Sequence, residues 1–266
     1  MNELFGLKHI ILICVSIALI VGLFFASRKL KFSTICKIMF YVGIVSEIVK
    51  IFFYIVKNEA THGGVLPKID LPFQLCSMQI ILIAIVNFSK NEKLKKIILS
   101  FMLPSCLFGG LAAILIATYS SLNFWIITCQ YFLYHIALVI FSLHLFTSKE
   151  FKLEFKNYLY CLGFLLGLMF FAIYINSMLY DGINEVNFMY VVSPPQKGLP
   201  YLNEDKGWLV YILRYALLII VCVSLCYIKP IIAQIKTLFA KNKVIENVEE
   251  IQVEENVEIE NKEENK

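Results

Sequence analysis

Residues 97–118 read IILSFMLPSCLFGGLAAILIAT, a run of 22 residues without one charged side chain. A helix needs about 20 predominantly apolar residues to cross the hydrocarbon core of a bilayer. This run therefore predicts a membrane-spanning helix. Six further runs of the same character flank it, at 9–26, 32–56, 71–88, 122–146, 158–180 and 208–229.

The composition of the whole chain agrees with a membrane protein. Of 266 residues, 59% are hydrophobic and 17% are charged, and the mean hydropathy is +0.74. Soluble domains have about 45–50% apolar and about 25% charged residues. The composition excludes a soluble globular, disordered, collagenous or disulfide-scaffold protein. The seven runs predict an all-α fold, a polytopic membrane helix bundle with about seven transmembrane helices.

Charge is divided unevenly along the chain. Residues 1–243 carry a net charge of +11, whereas residues 244–266, with nine Glu and two Lys, carry −7. We interpret 1–243 as the membrane helix bundle and 244–266 as an acidic cytoplasmic tail that is disordered or loosely helical. No Lys/Arg cluster is interleaved with aromatic residues, so nucleic acid is not an expected partner.

The basic residues outside the spans predict the orientation, because cytoplasmic loops are enriched in Lys and Arg. The connections that follow the first, third, fifth and seventh runs carry 14 basic residues, against 5 in the other set. We therefore expect a protein integral to the plasma membrane, with its N-terminus outside and its C-terminus in the cytoplasm. The first run is interpreted as a retained span because it is long and a basic cluster at 28–31 follows it.

The eight cysteines lie mostly inside the apolar runs. They form no CxxC pair, and no Cys/His spacing suits zinc. The sequence also lacks a nucleotide-binding loop and a haem motif. We therefore expect neither a metal nor another cofactor.

Polar side chains recur at helical spacing inside three of the spans. Charged groups there are costly, at about 2.5–3.5 kcal/mol each for Arg, Lys and Asp on insertion scales, so those that persist usually face the protein interior. In the second span, Glu47 and Lys50 are i,i+3 neighbours and can neutralise each other. A structural ion pair and a functional role explain this pair equally well.

The third span begins with Leu-Pro-Phe-Gln-Leu-Cys at 71–76. We expect Pro72 in the first helical turn, where no backbone donor is lost. Cys76 would then lie about 7.5 Å into the helix, near an N-terminus whose dipole favours a thiolate. Gln79 shares its face. The alternative is a cysteine that only packs against apolar neighbours.

The fifth span places His135 well within the bilayer, on one face with Thr128, Tyr131 and Ser142. A neighbouring hydroxyl or carbonyl satisfying this imidazole is the alternative to a chemical role. The predicted span bounds put Cys76 about 12 Å shallower than His135. Starting the fifth span at Trp125, an interfacial anchor, would remove about 4.5 Å of that difference.

The segment LPFQLC at 71–76 resembles the YwaF-type integral membrane proteins, a family that includes an animal membrane-bound acyltransferase acting on ether phospholipids. The similarity covers most of residues 30–230 and leaves the acidic tail outside. The chain departs from the pattern at Gln74, where the family often carries His. The supporting matches are Glu47, Gly109-Gly110, His135, and Asn187-Phe188-Met189-Tyr190 followed by Ser193-Pro194-Pro195.

This resemblance implies an acyl-transfer or lipid-hydrolase site with Cys76 as nucleophile and His135 as base. The polar stripes at helical spacing suggest that Glu47 orients His135, and helix N-terminal donors, or Gln79 and Asn187, are candidates for stabilising the oxyanion. Tyr190 joins these three as a substrate-binding or orienting residue. Membrane lipids are the expected partners.

Two other functions are open at this stage. The first is a non-enzymatic transporter or solute-binding protein in which Glu47, Lys50 and His135 line a pathway, as intramembrane titratable groups often do. The second is a structural or partner-binding membrane protein, in which Cys76 is dispensable and the acidic tail binds a partner.

Overall fold

The computed structural model describes residues 4–57, 62–117, 122, 124–182, 186–196, 199, 201–203 and 205–241. Over these residues the protein is helical and contains no strand, and seven helices are long and apolar enough to cross a membrane. The predicted fold class is thereby confirmed. The helices are α1 Leu7–Ser27, α2 Phe32–Lys57, α3 Leu75–Phe88, α4 Glu92–Leu115, α5 Trp125–Thr147, α6 Phe155–Leu179, α7 Trp208–Cys226 and a shorter α8 at 228–241.

Helices α4 and α5 form the centre of the bundle. In the most apolar 18-residue stretch of each, more than half of the residues are buried inside the protein, against about a tenth in the corresponding stretches of α1 and α6. Helix α4 packs against α3, α5, α6 and α7, and α5 packs against α1, α2 and α4. Residues on these two helices are therefore the best shielded from lipid.

Gly110 permits the close approach of α4 to α5. A Cβ atom at this position would lie 2.8 Å from Val139 Cγ2 and 3.1 Å from the carbonyl oxygen of His135. Small residues at helix interfaces are the usual means by which membrane helices reach such short separations. The backbone of α5 at His135 is consequently held directly against α4.

We expect Gly110→Ala to destabilise the fold by about 1–3 kcal/mol, because the added methyl group overpacks the α4–α5 contact. Gly109→Ala is the matched control, since its Cβ would meet only Leu75 Cδ2, at an ordinary 3.7 Å. Thermal unfolding of both variants in detergent measures the difference. Equal unfolding temperatures for the two would contradict the proposed contact.

Pro104 leaves a gap in the hydrogen bonding of α4 that α7 closes. Proline has no backbone N–H, so the carbonyl of Ser100, four residues earlier, lacks its helical donor. The hydroxyl of Tyr227, the residue after α7, donates to this oxygen at 2.8 Å, in a fully buried position. The end of α7 is thereby fixed to the middle of the bundle.

Helix α3 begins later than the sequence predicts. Leu71 is extended (φ −58°, ψ 149°), as expected before proline, and the N–H of Phe73 donates to the Leu71 carbonyl at 2.8 Å in a tight turn. Gln74 is extended as well (φ −68°, ψ 149°) and precedes the first helical residue, Leu75. The expectation that Pro72 lies in the first turn is therefore wrong.

The late start makes α3 a short helix. Its 14 residues measure about 21 Å, against the ~30 Å of a hydrocarbon core. The flanking helices α2 and α4 have 26 and 24 residues. The N-terminus of α3 thus lies below the end of the bundle, and the irregular residues 71–74 cover the remaining depth. Irregular backbone is tolerated at such depth where protein surrounds it.

Candidate functional site

Cys76 is the second residue of α3, at the recessed end of that helix. Helix N-termini leave their first backbone N–H groups without helical partners, and the amides of Cys76 and Ser77 lie beside the Cys76 sulfur. The hydroxyl of Tyr134, on α5, donates to the carbonyl oxygen of Cys76 at 2.7 Å. This bond brings the middle of α5 to the start of α3.

The depth difference expected from the sequence is largely removed. Cys76 is near the beginning of its helix, yet that beginning is recessed, and α5 starts at Trp125. Tyr134, which touches Cys76, is the immediate neighbour of His135, and their rings are 5.8 Å apart between centroids. The structure therefore places Cys76 and His135 at similar depth in the bundle, with Tyr134 as their shared neighbour.

His135 is held in one tautomer by its own helix. Its Nδ1 lies 2.7 Å from the carbonyl oxygen of Tyr131, and because a carbonyl only accepts, Nδ1 must carry the proton. Nε2 then bears the lone pair, and no hydrogen bond to it occurs in the described part of the chain. The side chain is buried, with only 4% of its surface exposed. Nε2 is thus the atom able to accept a proton.

Two tyrosines are shared neighbours of the imidazole and the thiol. The Tyr131 ring centroid lies 4.3 Å from that of His135, and the Tyr134 ring centroid lies 5.8 Å from it. Both tyrosines are also close enough to Cys76 to interact with it electrostatically. Cys76, Tyr131, Tyr134 and His135 therefore form one group, which we call the thiol–imidazole cluster.

Tyr190 approaches this cluster from the segment between α6 and α7. Burial, and secondarily the nearby Cys76, raise the pKa of Tyr190 to about 12. At neutral pH its phenol is therefore protonated and can donate a hydrogen bond. Tyr190 and the preceding Met189 both adopt left-handed backbone conformations, with φ of 52° and 55°. Such conformations are rare outside glycine and persist where neighbouring groups hold them.

Contacts from Gln74 and from two helices hold residues 187–191 over the start of α3. Gln74 accepts from the N–H of Met189 at 3.0 Å and donates to the carbonyl of Asn187 at 3.2 Å. Asn176, on α6, exchanges two hydrogen bonds with the backbone of Phe188, at 2.8 and 3.1 Å. Gln74, where the sequence departs from the family pattern, is therefore a structural clamp.

Three side chains of α7 donate hydrogen bonds to consecutive backbone carbonyls of the same segment. Tyr215 donates to the carbonyl of Met189, Tyr211 to that of Tyr190, and Trp208 to that of Val191.

Gln79 and Asn187 lie close to the cluster, but their side chains are turned elsewhere. The Gln79 side chain donates to Ser105 Oγ at 3.0 Å and accepts from the Cys106 thiol at 3.5 Å, both on α4. The Asn187 amide donates to the carbonyl and hydroxyl of Ser193 at 2.8 and 2.9 Å. The backbone amides at the start of α3 are consequently the better placed donors for an oxyanion.

Glu47 and Lys50 form an ion pair beside the cluster, with Lys50 Nζ 2.8 Å from Glu47 Oε1. Ser77, the residue after Cys76, donates to Glu47 Oε2 at 3.1 Å and accepts from Lys50 at 3.2 Å. Oε1 is thus paired in charge with Lys50 and Oε2 is hydrogen-bonded to Ser77, and within the described residues no hydrogen bond joins Glu47 to His135. The pair fixes α2 to the first turn of α3.

Tyr134 and Ser77 are the contacts that the sequence analysis missed. Neither belongs to the polar stripes at helical spacing that single out Cys76 and His135. The only sequence feature that could have pointed to these two residues is the hydroxyl group, because a tyrosine or serine inside a membrane must find a hydrogen-bond partner. That rule gives the need for a partner and leaves its identity open.

No group of three or more His, Cys, Asp or Glu side chains capable of holding a metal occurs among the residues that the structure describes. A cavity of about 480 Å³ lies at the opposite end of the bundle, where α3 ends. Its walls combine four lysines, at 37, 95, 96 and 152, with three glutamates, and it includes neither Cys76 nor His135.

A sequence model of the TMEM164 family matches residues 4–227, which include all seven long helices and the thiol–imidazole cluster, and exclude α8. Neither the curated proteins nor the solved structures give a match.

Proposed function

The chain belongs to the TMEM164 family of multi-pass membrane proteins, and from that premise we propose that it is a phospholipid acyltransferase using Cys76 and His135. The observation that carries the proposal is the hydrogen bond from the Tyr134 hydroxyl to the backbone carbonyl of Cys76, which holds this helix-terminal cysteine next to the neighbour of a proton-accepting imidazole. The resemblance to YwaF-type proteins, which include an acyltransferase, supports the same chemistry.

The first half of the reaction forms a thioester. His135 Nε2 removes the proton from the Cys76 thiol, and the sulfur attacks the ester carbonyl carbon of a donor phospholipid. The negative charge then develops on the carbonyl oxygen, where the amides at the start of α3 and the positive end of that helix stabilise it. The carbon–oxygen bond breaks, and the departing lysophospholipid oxygen takes the proton back from His135.

The second half returns the enzyme to its starting state. His135 removes the proton from the hydroxyl of an acceptor lysophospholipid, whose oxygen attacks the thioester carbonyl. The carbon–sulfur bond breaks, and the released thiolate recovers the proton from His135. If water replaces the acceptor hydroxyl, the same steps release a fatty acid, so lipid hydrolysis is the side reaction of this site.

The location of the cluster favours a lipid substrate. Cys76 is only partly buried, and it lies within a membrane helix near the end of the bundle that the basic-residue count assigns to the outside. On that orientation, with the C-terminus in the cytoplasm, the thiol is in the outer half of the bilayer. Ester carbonyls of phospholipids occupy the region just beneath the headgroups, and on this orientation those of the outer leaflet lie on the same side of the bilayer as the thiol.

The experiment is to trap the acyl-enzyme. Purified protein in lipid nanodiscs is incubated with a phosphatidylcholine whose acyl chain carries an alkyne, and the labelled protein is detected and mapped by mass spectrometry. We expect a hydroxylamine-sensitive label on Cys76 that Cys76→Ser removes. Cys106→Ser is the matched control, since Cys106 is a fully buried thiol on the neighbouring helix α4.

A label that survives Cys76→Ser, or the absence of label on the parent protein while acyl exchange proceeds, would reject the thioester. The transporter alternative gives a different result, because it predicts solute flux in proteoliposomes that Cys76→Ser leaves unchanged. Measuring both readouts on the same variant separates the two functions.

A further inference from the structure

Helix α8 follows α7 after a break at Tyr227. The 19 residues of α7 measure about 28 Å, which already accounts for the thickness of a hydrocarbon core. Pro230 lacks a backbone N–H and its ring clashes with the carbonyl of the residue four before it, Cys226, so a straight continuation is disfavoured. The chain therefore reaches the membrane surface where α8 begins.

Helix α8 presents an exposed apolar stripe. At 3.6 residues per turn its large apolar side chains fall within an arc of about 120°. One of them, Ile231, packs against the bundle and fixes the start of the helix. The remaining members of the stripe are between 45% and 71% exposed: Ile228, Ile232, Ile235, Leu238 and Phe239.

Lysines border this stripe on both sides. Lys229 and Lys236 lie along one edge, and Lys241 lies beyond the other, while Thr237 faces directly away from the apolar side chains. Helix α8 contains no acidic residue. An amphipathic helix with basic edges fits a surface that is apolar inside and negatively charged outside, which describes the headgroup region of an anionic membrane.

We propose that α8 is an interfacial helix that binds anionic phospholipids of the leaflet where α7 ends. The apolar stripe enters the boundary between headgroups and acyl chains, and the lysines contact lipid phosphates. Three observations select this occupant: continuity with a span that is already full length, an exposed stripe of the width typical of interfacial helices, and a purely basic border. The proposal is independent of the chemistry at Cys76.

The test uses the full chain in lipid nanodiscs, whose two faces are both open to a water-soluble maleimide. Leu238→Cys places a thiol on the stripe, and Thr237→Cys places the matched control on the opposite face. The eight native cysteines all lie within α1–α7. Maleimide labelling of the parent protein, which has no cysteine in α8, therefore measures the background reaction. In discs containing phosphatidylglycerol, we expect L238C to react at least about tenfold more slowly than T237C.

The protection should also depend on lipid charge. We expect the ratio of the two rates to shrink in discs of pure phosphatidylcholine, at high salt, and when Lys229 and Lys236 are both replaced by Gln. Equal rates in the anionic discs would overturn the proposal. So would protection of L238C that is the same in anionic discs, neutral discs and detergent, because that pattern indicates a protein surface or a second copy of the chain over the stripe.

Discussion

Replacing His135 with glutamine is expected to slow acyl transfer by about 10²–10⁴-fold, the range that a positioned general base contributes. Glutamine keeps a polar side chain in the same space but cannot accept the thiol proton at neutral pH. The substitution removes the one atom, Nε2, that the hydrogen bond from Nδ1 to Tyr131 leaves with a lone pair. Both halves of the reaction need that atom.

The measurement is the rate at which a labelled acyl chain moves from phosphatidylcholine to a lysophospholipid in proteoliposomes. His144→Gln is the matched control, because His144 is a second buried histidine of α5 whose Nε2 is already bonded to Ser27 Oγ at 2.8 Å. We expect H144Q to retain the parent rate. Acyl transfer by H135Q at a rate close to that of the parent would contradict the role of His135 as base.

The seven membrane helices were predictable because each depends on a local property, a run of apolar residues about as long as the bilayer is thick. The packing of these helices against one another was harder to predict from the sequence. The Gly109-Gly110 pair marks a close helix contact, yet only the three-dimensional structure shows that Gly110 meets α5 while Gly109 does not. Which of two adjacent glycines faces a neighbour depends on the rotation of the whole helix.

The candidate site shows the same division between local and tertiary information. The residue types of Cys76 and His135, and their positions inside spans, were readable from the sequence. Their shared depth was not, because it arises from the late start of α3. That start depends on Gln74, which takes an extended conformation while its side chain binds residues 113 and 115 positions further along the chain. No local propensity encodes a partner at that distance.

The second large effect is expected at Lys50. Lys50→Met leaves the Glu47 carboxylate, whose side chain is only 16% exposed, without its cation in a membrane protein interior. Breaking a buried ion pair by removing one partner costs about 3–5 kcal/mol. We therefore expect K50M to unfold at a much lower temperature in detergent, or to accumulate poorly in the membrane.

Two further variants identify the cause of that loss. The double substitution Glu47→Gln with Lys50→Met removes both charges, and we expect it to recover most of the stability. Lys96→Met breaks the exposed ion pair in which Lys96 Nζ lies 2.8 Å from Glu154 Oε2. This substitution should lower the free energy of unfolding by only about 0–1 kcal/mol. If the double variant is as unstable as K50M, the charge imbalance is not the reason for the loss.

The double variant also separates a structural from a functional role for the ion pair. Ser77 links Glu47 and Lys50 to the first turn of α3, so the pair positions Cys76 without touching His135. We expect the stable double variant to keep measurable acyl transfer at a reduced rate, because the helix terminus is less firmly held. A stable, fully folded double variant that loses solute flux but retains full acyl transfer would instead favour a pathway lined by Glu47 and Lys50.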